Sequence, residues 1–570
     1  MNRSLLAFAL LIGSGLAAIC ASRTPLPVLA RQQSAPTSTA QLQPTEEKPL
    51  IAYKPHQVTA FHTSDRCVAC HNGMTSANGE NFSIGFDWQA SIMANSSRDP
   101  YWQGSVRRET IDHPESKQFI QNDCSFCHMA AVRLVDRDEH RNTSMFARFP
   151  FQKLTKKTSQ LQRSAQDGVT CSVCHQIDKQ DLGAPSTFNG NVIVSRAVHF
   201  DIRPEYGPYA PDHGHQTMMH SSTGGFLPEQ EAHIRDAALC AGCHTLITDA
   251  LGPNGQTIAH FPEQVPFQEW QHSAYNEKKT CQDCHMPAVS GPSPITALYG
   301  QMRDGARHHY FVGANFFIQH LLDEHRDDLQ TVARPQDLEA AVERTREFLG
   351  TQAAKVTIEH ADISAGSLSI TVLTQNLTGH KLPTAYPSRR AWLHVIVIDA
   401  NNHTIFESGA LRPNGSIVGN VNDDDPARFE PHFREITRPD QVEIYEPVLG
   451  DANGHVTTGL LNTVRYLKDN RLLPTGFDKS TATPDIAVYG DAASDPDFTD
   501  HGSVVRYIVP TNSATGPFHI TIELWYQPIG FRWAHNLAPY KAAEPQRILH
   551  YYESASARTA TILAKTEATR

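Results

Sequence analysis

Positive charge is in deficit in this 570-residue chain, which has 49 Lys and Arg residues against 60 Asp and Glu residues and a formal net charge of −11. This balance argues against a nucleic acid partner, because phosphate backbones are bound mainly through Lys and Arg. It would suit a positively charged protein partner. Charged residues make up 19% and hydrophobic residues 40% of the chain, which indicates a globular protein rather than a disordered polymer.

Long hydrophobic runs are also scarce. One run, over residues 5–20, follows Arg3 and is too short to span a bilayer comfortably. This pattern predicts an export signal over residues 1–21, followed by a flexible linker rich in Gln, Ser, Thr and Pro over residues 22–50. We therefore expect a periplasmic or other extracytoplasmic protein without an integral membrane segment in the mature chain. Lipidation at Cys20, and with it association with the envelope, stays open.

Cysteine is nearly confined to one pattern. The chain has 11 cysteines, and all but Cys20 belong to five copies of Cys-x-x-Cys-His. The paired cysteines are Cys67 and Cys70, Cys124 and Cys127, Cys171 and Cys174, Cys240 and Cys243, and Cys281 and Cys284. The histidines that follow them are His71, His128, His175, His244 and His285.

The repeated pentapeptide is the attachment signature of c-type haem. Its two thiols add to the two vinyl groups of one haem, and its histidine supplies the proximal ligand of the iron. A zinc ribbon would not need a histidine after every cysteine pair, and a thioredoxin-like dithiol normally occurs once. The sequence therefore predicts five covalently attached c-type haems, which agrees with export because this haem is attached outside the bacterial cytoplasm.

The pattern of apolar and polar residues changes near residue 350. Before it, short helical stretches are broken by Gly and Pro, and the helix that starts at Pro335 should end with Gly350 as its C′ residue. After it, apolar and polar residues alternate, as they do from Leu368 to Val372. We predict an α+β multidomain protein with a mainly helical and irregular multihaem cytochrome domain over 51–350. An all-β immunoglobulin-like sandwich over 351–535 and a partly ordered tail over 536–570 should follow.

The sixth coordination position of each iron decides between an electron carrier and an enzyme. Candidate distal ligands stand close to the motifs: His62 and His272 precede motifs, His309 follows the last motif beside His308, and the run 213–220 offers several, of which we favour His220. Met93 is a candidate thioether ligand, which would raise the potential of its haem, although packing in a core is the commoner use of Met.

His380 has two interpretations. It stands in Gly379-His380-Lys381-Leu382-Pro383, a turn that could reach a haem edge and supply a distal ligand. The alternative, which the sequence favours, is that His380 orders the turn or a contact between domains.

Residues 60–320 resemble the multihaem cytochrome c superfamily, which includes tetrahaem cytochromes of ammonia oxidisers and pentahaem nitrite reductases. The resemblance rests on the five motifs, Trp270-x-x-Ser273, Tyr206-Gly207-Pro208 and His309-x-Phe311. It implies haems that stack in close pairs. The residues after 350 resemble a β-domain of environmental multihaem cytochromes through the Gly379–Pro383 turn and Tyr466 to Arg471. Most pentahaem nitrite reductases carry Cys-x-x-Cys-Lys at the catalytic haem, whereas every motif here ends in His.

We therefore predict an exported multihaem cytochrome that carries electrons between redox partner proteins whose identity the sequence does not give. The alternative is a periplasmic reductase or oxidoreductase that acts on a small nitrogen or sulfur compound at one open haem. A third possibility is a surface conduit that docks through the β-domain. Whether the chain is an enzyme is left open, and the carrier is favoured because no catalytic residue is needed for it.

Overall fold

The computed structural model of the protein describes residues 60–195 and 202–570. These residues belong to one compact unit that spans Pro55–Arg570. The export signal predicted over 1–21 and the linker predicted over 22–50 lie outside the described residues. Helices and strands both contribute, so the fold class is α+β. Within the two described segments, no helix is long and apolar enough to cross a membrane.

Residues 60–350, which we call the motif half, consist mainly of short helices joined by turns. The helices are Asp65–Val68, Ile84–Gln89, Pro100–Asp112, Lys117–His128, Ala130–Asp138, Gln160–Ala165, Cys171–Cys174, His213–Thr223, Ala238–His244, Pro266–Gln271, Cys281–His285, Phe316–Glu324, Arg326–Leu329 and Pro335–Phe348. Strands occur as two-stranded ladders: Met74–Thr75 with Asn81–Phe82, Arg203–Gly207 with Phe226–Gln230, and Leu246–Leu251 with Thr257–Gln264.

Before residue 310, most of the apolar core of the motif half is divided among small clusters. One surrounds Trp102 and Ile120, and another surrounds Phe61 and Val173. Because these clusters are separate, the side chains of this part of the chain bury little continuous apolar surface among themselves. This is the packing expected for segments that wrap large cofactor plates.

The helix Pro335–Phe348 confirms the element predicted before the boundary. Proline occupies its first turn, where a missing N–H breaks no intrahelical bond, and Leu338, Ala341 and Val342 face the core. Its predicted end is wrong. Gly350 does not act as a left-handed C′ residue, because the chain continues through a wide helical turn over Leu349–Ala353, both ends of which are buried.

Residues 351–570, which we call the β-half, contain two five-stranded sheets. In the first, the strands lie in the order Thr404–Ser408, Arg390–Ile398, His519–Gln527 and Thr561–Thr569, with Ile444–Tyr445 also paired to Arg390–Ile398. In the second, the order is Glu435–Ile436, Gly502–Pro510, Ser367–Asn376 and Ala354–Ser364, with Phe498–Thr499 also paired to Gly502–Pro510. A smaller sheet joins Val456–Thr457, Pro447–Gly450 and Arg465–Asp469.

The two large sheets bury one shared apolar core. Val395 pairs with Ile522 in the first sheet, Val372 pairs with Val505 in the second, and all four side chains are fully buried in the same cluster. Alternate residues of these strands point inward because the side-chain direction reverses at every residue of a strand. The alternation after residue 350 therefore predicted the strands correctly.

The expectation of a partly ordered tail over 536–570 differs from the structure. The helix Ala543–Ser554 packs on the helix Pro100–Asp112 of the motif half, and a Cβ atom at Gly104 would lie 2.8 Å from Ile548 Cγ2. The strand Thr561–Thr569 completes the first sheet beside His519–Gln527. The sequence did not predict this last strand, because most of its residues are polar or small and remain accessible in the folded protein.

The two halves share packing rather than a clean boundary. The largest apolar cluster contains Phe316 and Leu338 of the motif half together with Leu393 and Ile548 of the β-half. An ion pair between Arg107 and Glu544, 2.7 Å apart, also joins them. The secondary structure therefore changes from mainly helices to mainly strands near residue 350, but both parts belong to one compact unit.

Candidate haem-binding site

Each Cys-x-x-Cys-His motif lies on or beside a short helical segment. Cys171–Cys174 and Cys281–His285 are helices of motif length, and His175 N donates to Cys171 O over 3.0 Å. Residues three apart in a helix lie on the same face, so the two thiols of a motif point to the same side. That is the arrangement needed to attach both vinyl groups of a single porphyrin.

Backbone carbonyls fix the orientation of four motif histidines. Nδ1 of His71 lies 2.5 Å from Ile295 O, Nδ1 of His128 lies 2.9 Å from Ser96 O, and Nδ1 of His175 lies 2.6 Å from Tyr206 O. His285 makes the same kind of bond to Val312 O. A metal-binding histidine commonly donates its other ring N–H to a carbonyl, which fixes the tautomer and leaves Nε2 for the metal.

The motif histidines are enclosed by protein strongly enough to shift their pKa values. Burial lowers the pKa of all five imidazoles, to about 4 for His128 and His244. Each of the five residues nevertheless keeps some accessible surface, and His244 is exposed. A lowered pKa favours the neutral imidazole, which is the form that binds iron.

Thiols of different motifs lie next to one another. Cys67 and Cys171, Cys127 and Cys243, and Cys240 and Cys281 lie close enough to shift the pKa of one another's thiols. The fourth motif thus touches the second and the fifth, and the first touches the third. The pKa of the Cys174 thiol is raised to about 12, first by burial and then by the charge of Cys243, which places the third motif beside the fourth. All five motifs therefore form one continuous group.

His309 faces the motif histidine His175. Their ring centroids lie 6.5 Å apart with planes inclined by 17°. Nδ1 of His309 is 3.2 Å from Arg307 O, and Nδ1 of His175 is bonded to Tyr206 O, so both Nε2 atoms are left for another partner. Burial, followed by the proximity of His175, lowers the pKa of His309 to about 3.

The spacing of this pair fits two imidazoles on one metal ion. An imidazole nitrogen binds a transition-metal ion at about 2.0 Å, so two rings on opposite sides of the ion have centroids roughly 6.3 Å apart. Nearly parallel rings in direct contact are much closer in this protein. Trp102 and His128 are 4.3 Å apart, and His308 and Tyr310 are 4.4 Å apart.

The motif histidine His285 has a similar neighbour in His380. The centroids are 6.2 Å apart and the planes are inclined by 15°. His380 comes from the β-half, and its Nδ1 lies 2.9 Å from Lys381 O. Burial and then the charge of His285 lower its pKa to about 4.

The other distal candidates are placed differently and stay predictions. Nε2 of His62 lies 2.5 Å from Thr223 O, and Nε2 of His272 lies 3.0 Å from Asp478 O. His220 is half-buried on the helix His213–Thr223. Met93 packs at the edge of the cluster that contains Val173 and Cys174, close to the third motif.

Sequence reasoning did not identify the groups that hold the proximal rings. The carbonyls of Ile295, Ser96, Tyr206 and Val312 have no side-chain signature, although Tyr206 stands in a segment already noted for its resemblance. Trp102 was also missed. Its indole ring is parallel to the imidazole of His128 within 4° and stacks against the face of that ring.

Comparisons with known proteins add one structural likeness. No protein-family model matches the chain, and no curated protein matches it. One solved structure to which it is similar is the penta-haem cytochrome c552 from Thermochromatium tepidum, at 14% identity and a TM-score of 0.48, covering 90% of this chain and 100% of that chain. A likeness at this level carries no argument, so the site is interpreted from its own residues.

Proposed function

We propose that this protein is an exported c-type cytochrome that carries electrons through five covalently attached haems. The observation that carries the proposal is the pair His175 and His309, whose spacing, near-parallel planes and outward-facing Nδ1 atoms suit two axial ligands of one iron. Each haem, when bound, supplies a one-electron redox centre.

The chain's own groups have three roles in this function. The cysteines of each motif hold the cofactor covalently, and the carbonyls behind His71, His128, His175 and His285 keep each proximal ring oriented. His309 would occupy the sixth position of the third haem and exclude a substrate there. Burial around the motif histidines would tune the potential of each haem.

The contacts between motifs support electron transfer through the whole set. Neighbouring thiols connect the first motif with the third, and the fourth with both the second and the fifth. Cofactors attached at adjoining thiols would be close neighbours. A catalytic haem needs an open position, whereas a carrier needs this kind of continuous series.

The β-half is proposed to be an immunoglobulin-like sandwich. Its support is the pair of sheets that share one core, with mainly antiparallel pairing. Export through residues 1–21, an extracytoplasmic location and redox proteins as electron donor and acceptor complete the proposal. No role for nucleic acid is proposed, given the net charge of −11.

The decisive experiment is electron paramagnetic resonance of the purified ferric protein, together with a haem count by the pyridine haemochrome assay. We expect five haems per chain and low-spin iron. A high-spin signal in the wild type that changes on addition of nitrite or hydroxylamine would contradict a pure carrier and support the reductase alternative.

A matched pair of variants tests the ligand at the third haem. His309→Ala should convert one haem to the high-spin state and leave the others low-spin. His308→Gln changes the neighbouring residue, which Glu80 and Asp87 hold by hydrogen bonds of 2.8 and 2.9 Å, and should keep every haem low-spin. If both variants keep the wild-type spectrum, His309 is not a ligand. Met93→Leu should lower one midpoint potential or open one haem if Met93 is a thioether ligand.

A further inference from the structure

We propose that the β-half supplies the sixth ligand of the fifth haem, with His380 Nε2 bound to the iron opposite His285. This inference rests on the proposed function, because it requires a haem on Cys281 and Cys284. It assigns the β-half a direct part in the redox centre: a haem attached to one half of the molecule would be completed by the other half.

The geometry of the two imidazoles carries the assignment. Their centroids are 6.2 Å apart and their planes differ by 15°, against roughly 6.3 Å for two imidazoles on one metal ion. Each Nδ1 is bonded to a carbonyl, that of Val312 for His285 and that of Lys381 for His380. The hydrogen bonds described for both rings thus leave the two Nε2 atoms for the metal.

The spacing of this pair is wide for rings so close to parallel. The most nearly parallel ring pairs, such as His325 with Tyr551 and His308 with Tyr310, have centroids 3.6 and 4.4 Å apart. His285 and His380 are about 2 Å farther apart, which leaves room for an atom between them. A wider stacked pair also occurs, Trp392 with Trp525 at 6.1 Å and 27°, so the assignment rests on the spacing together with the two bonded Nδ1 atoms.

The turn that carries His380 is held rigidly. Nδ2 of Asn376 donates to His380 O over 2.7 Å and to Leu472 O over 3.0 Å. Oγ1 of Thr378 also donates to His380 O, over 2.9 Å. The side chains of Asn376 and Thr378 therefore hold the backbone of His380 in place. A metal ligand requires such a rigid support.

A buried charge network joins this turn to the chain between the fourth and fifth motifs. Nζ of Lys381 lies 2.6 Å from Asp469 Oδ2, and Nε of Arg471 lies 2.8 Å from Asp469 Oδ1. Glu269, on the helix Pro266–Gln271, lies 3.0 Å from the Arg471 guanidinium and accepts from Lys381 N over 3.1 Å. All four side chains are at most 4% exposed. Lys381, Asp469, Arg471 and Glu269 are thus positioning residues for His380.

The network balances its own charges. Two cations face two carboxylates, and removal of one partner would leave a buried charge unpaired. Since Lys381 follows His380 directly, such a change should move the ligand. The network thereby connects the packing of the two halves to the coordination of the iron.

The test uses the full-length holoprotein and two readouts, the spin state by electron paramagnetic resonance and a spectroscopic redox titration. His380→Ala should make one of the five haems high-spin, and added imidazole should restore the low-spin state. His380→Met should keep that haem low-spin and raise its midpoint potential, since a thioether favours the ferrous state. His403→Ala, which changes an exposed histidine of the same half, should alter neither readout.

The positioning residues are tested with Lys381→Met. We expect a partial high-spin population or an altered low-spin line shape at one haem, with the haem count unchanged. A purely structural role would lower the melting temperature and leave the spectrum of the folded protein as in the wild type.

Two results would overturn the assignment, and they are distinguishable. If His380→Ala and His380→Met both keep five low-spin haems and an unchanged titration, His380 is not a ligand while the proposed function stands. If peptide mass spectrometry finds no haem on Cys281 and Cys284, the proposed function fails at this motif, and the ligand assignment fails with it. If His380→Ala does not accumulate, the redox titration of His380→Met decides alone.

Discussion

The two halves of this molecule achieve order in different ways. In the β-half, Val395, Val372 and Ile522 belong to one continuous core that the chain builds from its own strands. In the motif half, most of the core before residue 310 consists of separate small clusters, such as those around Trp102 and Phe61. The β-half therefore carries its own hydrophobic driving force, whereas the motif half would need the proposed haems to complete its apolar core.

Histidine chemistry shows the same contrast. In the motif half, burial lowers the pKa of the motif imidazoles, as suits neutral metal ligands. In the β-half, His432 is buried between Glu443 at 2.8 Å and Asp495 at 3.0 Å. Burial alone would lower its pKa, but the two carboxylates outweigh that effect and raise it. Burial thus favours the neutral imidazole at the motifs, whereas neighbouring carboxylates favour the charged imidazole at His432.

The largest expected effect comes from withholding haem. A protein produced where haem is not attached should lose amide protection over most of residues 60–310, because the small clusters there cannot replace the buried porphyrin surface. The strands Arg390–Ile398 and His519–Gln527 should stay protected. Hydrogen exchange measured by mass spectrometry on the two forms checks this, and equal protection of both halves would break the comparison.

The next effect concerns the buried network at the junction. Asp469→Asn should destabilise the protein by about 3–5 kcal/mol, because it removes the paired carboxylate of Lys381 and leaves Glu269 alone to balance both cations. Denaturant unfolding monitored by far-ultraviolet circular dichroism measures the change. Asp440→Asn, at an exposed ion pair with Arg438, is the control and should have no measurable effect.

A smaller effect is expected from pH in the β-half. Since the pKa of His432 is higher in the folded state than in the unfolded state, its stabilising effect is complete below the unfolded pKa and disappears as pH rises through the folded pKa. Stability of the β-half should therefore fall as the pH rises above the ordinary pKa of histidine, about 6.5. Thermal unfolding at several pH values checks this. In His432→Gln that decline should vanish, and a decline of the same size would contradict the assignment.

The smallest effect is expected at the ion pair between the halves. Arg107→Met removes two hydrogen bonds to Glu544, of 2.9 and 2.7 Å, from a partly exposed site. The loss should be about 2 kcal/mol, because the Glu544 carboxylate that remains is largely buried and loses its charged partner. Denaturant unfolding measures it. A loss as large as that of Asp469→Asn would show that this contact, and not the buried network, holds the halves together.

Prediction from the sequence succeeded where the information is local. The helix Pro335–Phe348 and the alternating strands were recognisable because their spacing repeats within a few residues. It failed for the end of that helix near Gly350 and for the strand Thr561–Thr569. The end of the helix depends on how residues 349–353 pack against the rest of the protein. The strand Thr561–Thr569 forms by pairing with His519–Gln527, which is distant in the sequence.

The sequence by itself predicts the cofactor chemistry: five Cys-x-x-Cys-His motifs are the expected haem attachment sites, and the expected number of haems follows from counting them. It could not determine which distant imidazole faces which motif. His309 and His380 lie opposite His175 and His285 only after the chain has folded, since backbone carbonyls and packing aim each ring. The thiols of one motif are three residues apart and need only a helical turn, whereas a sixth ligand comes from wherever the fold brings a nitrogen within reach.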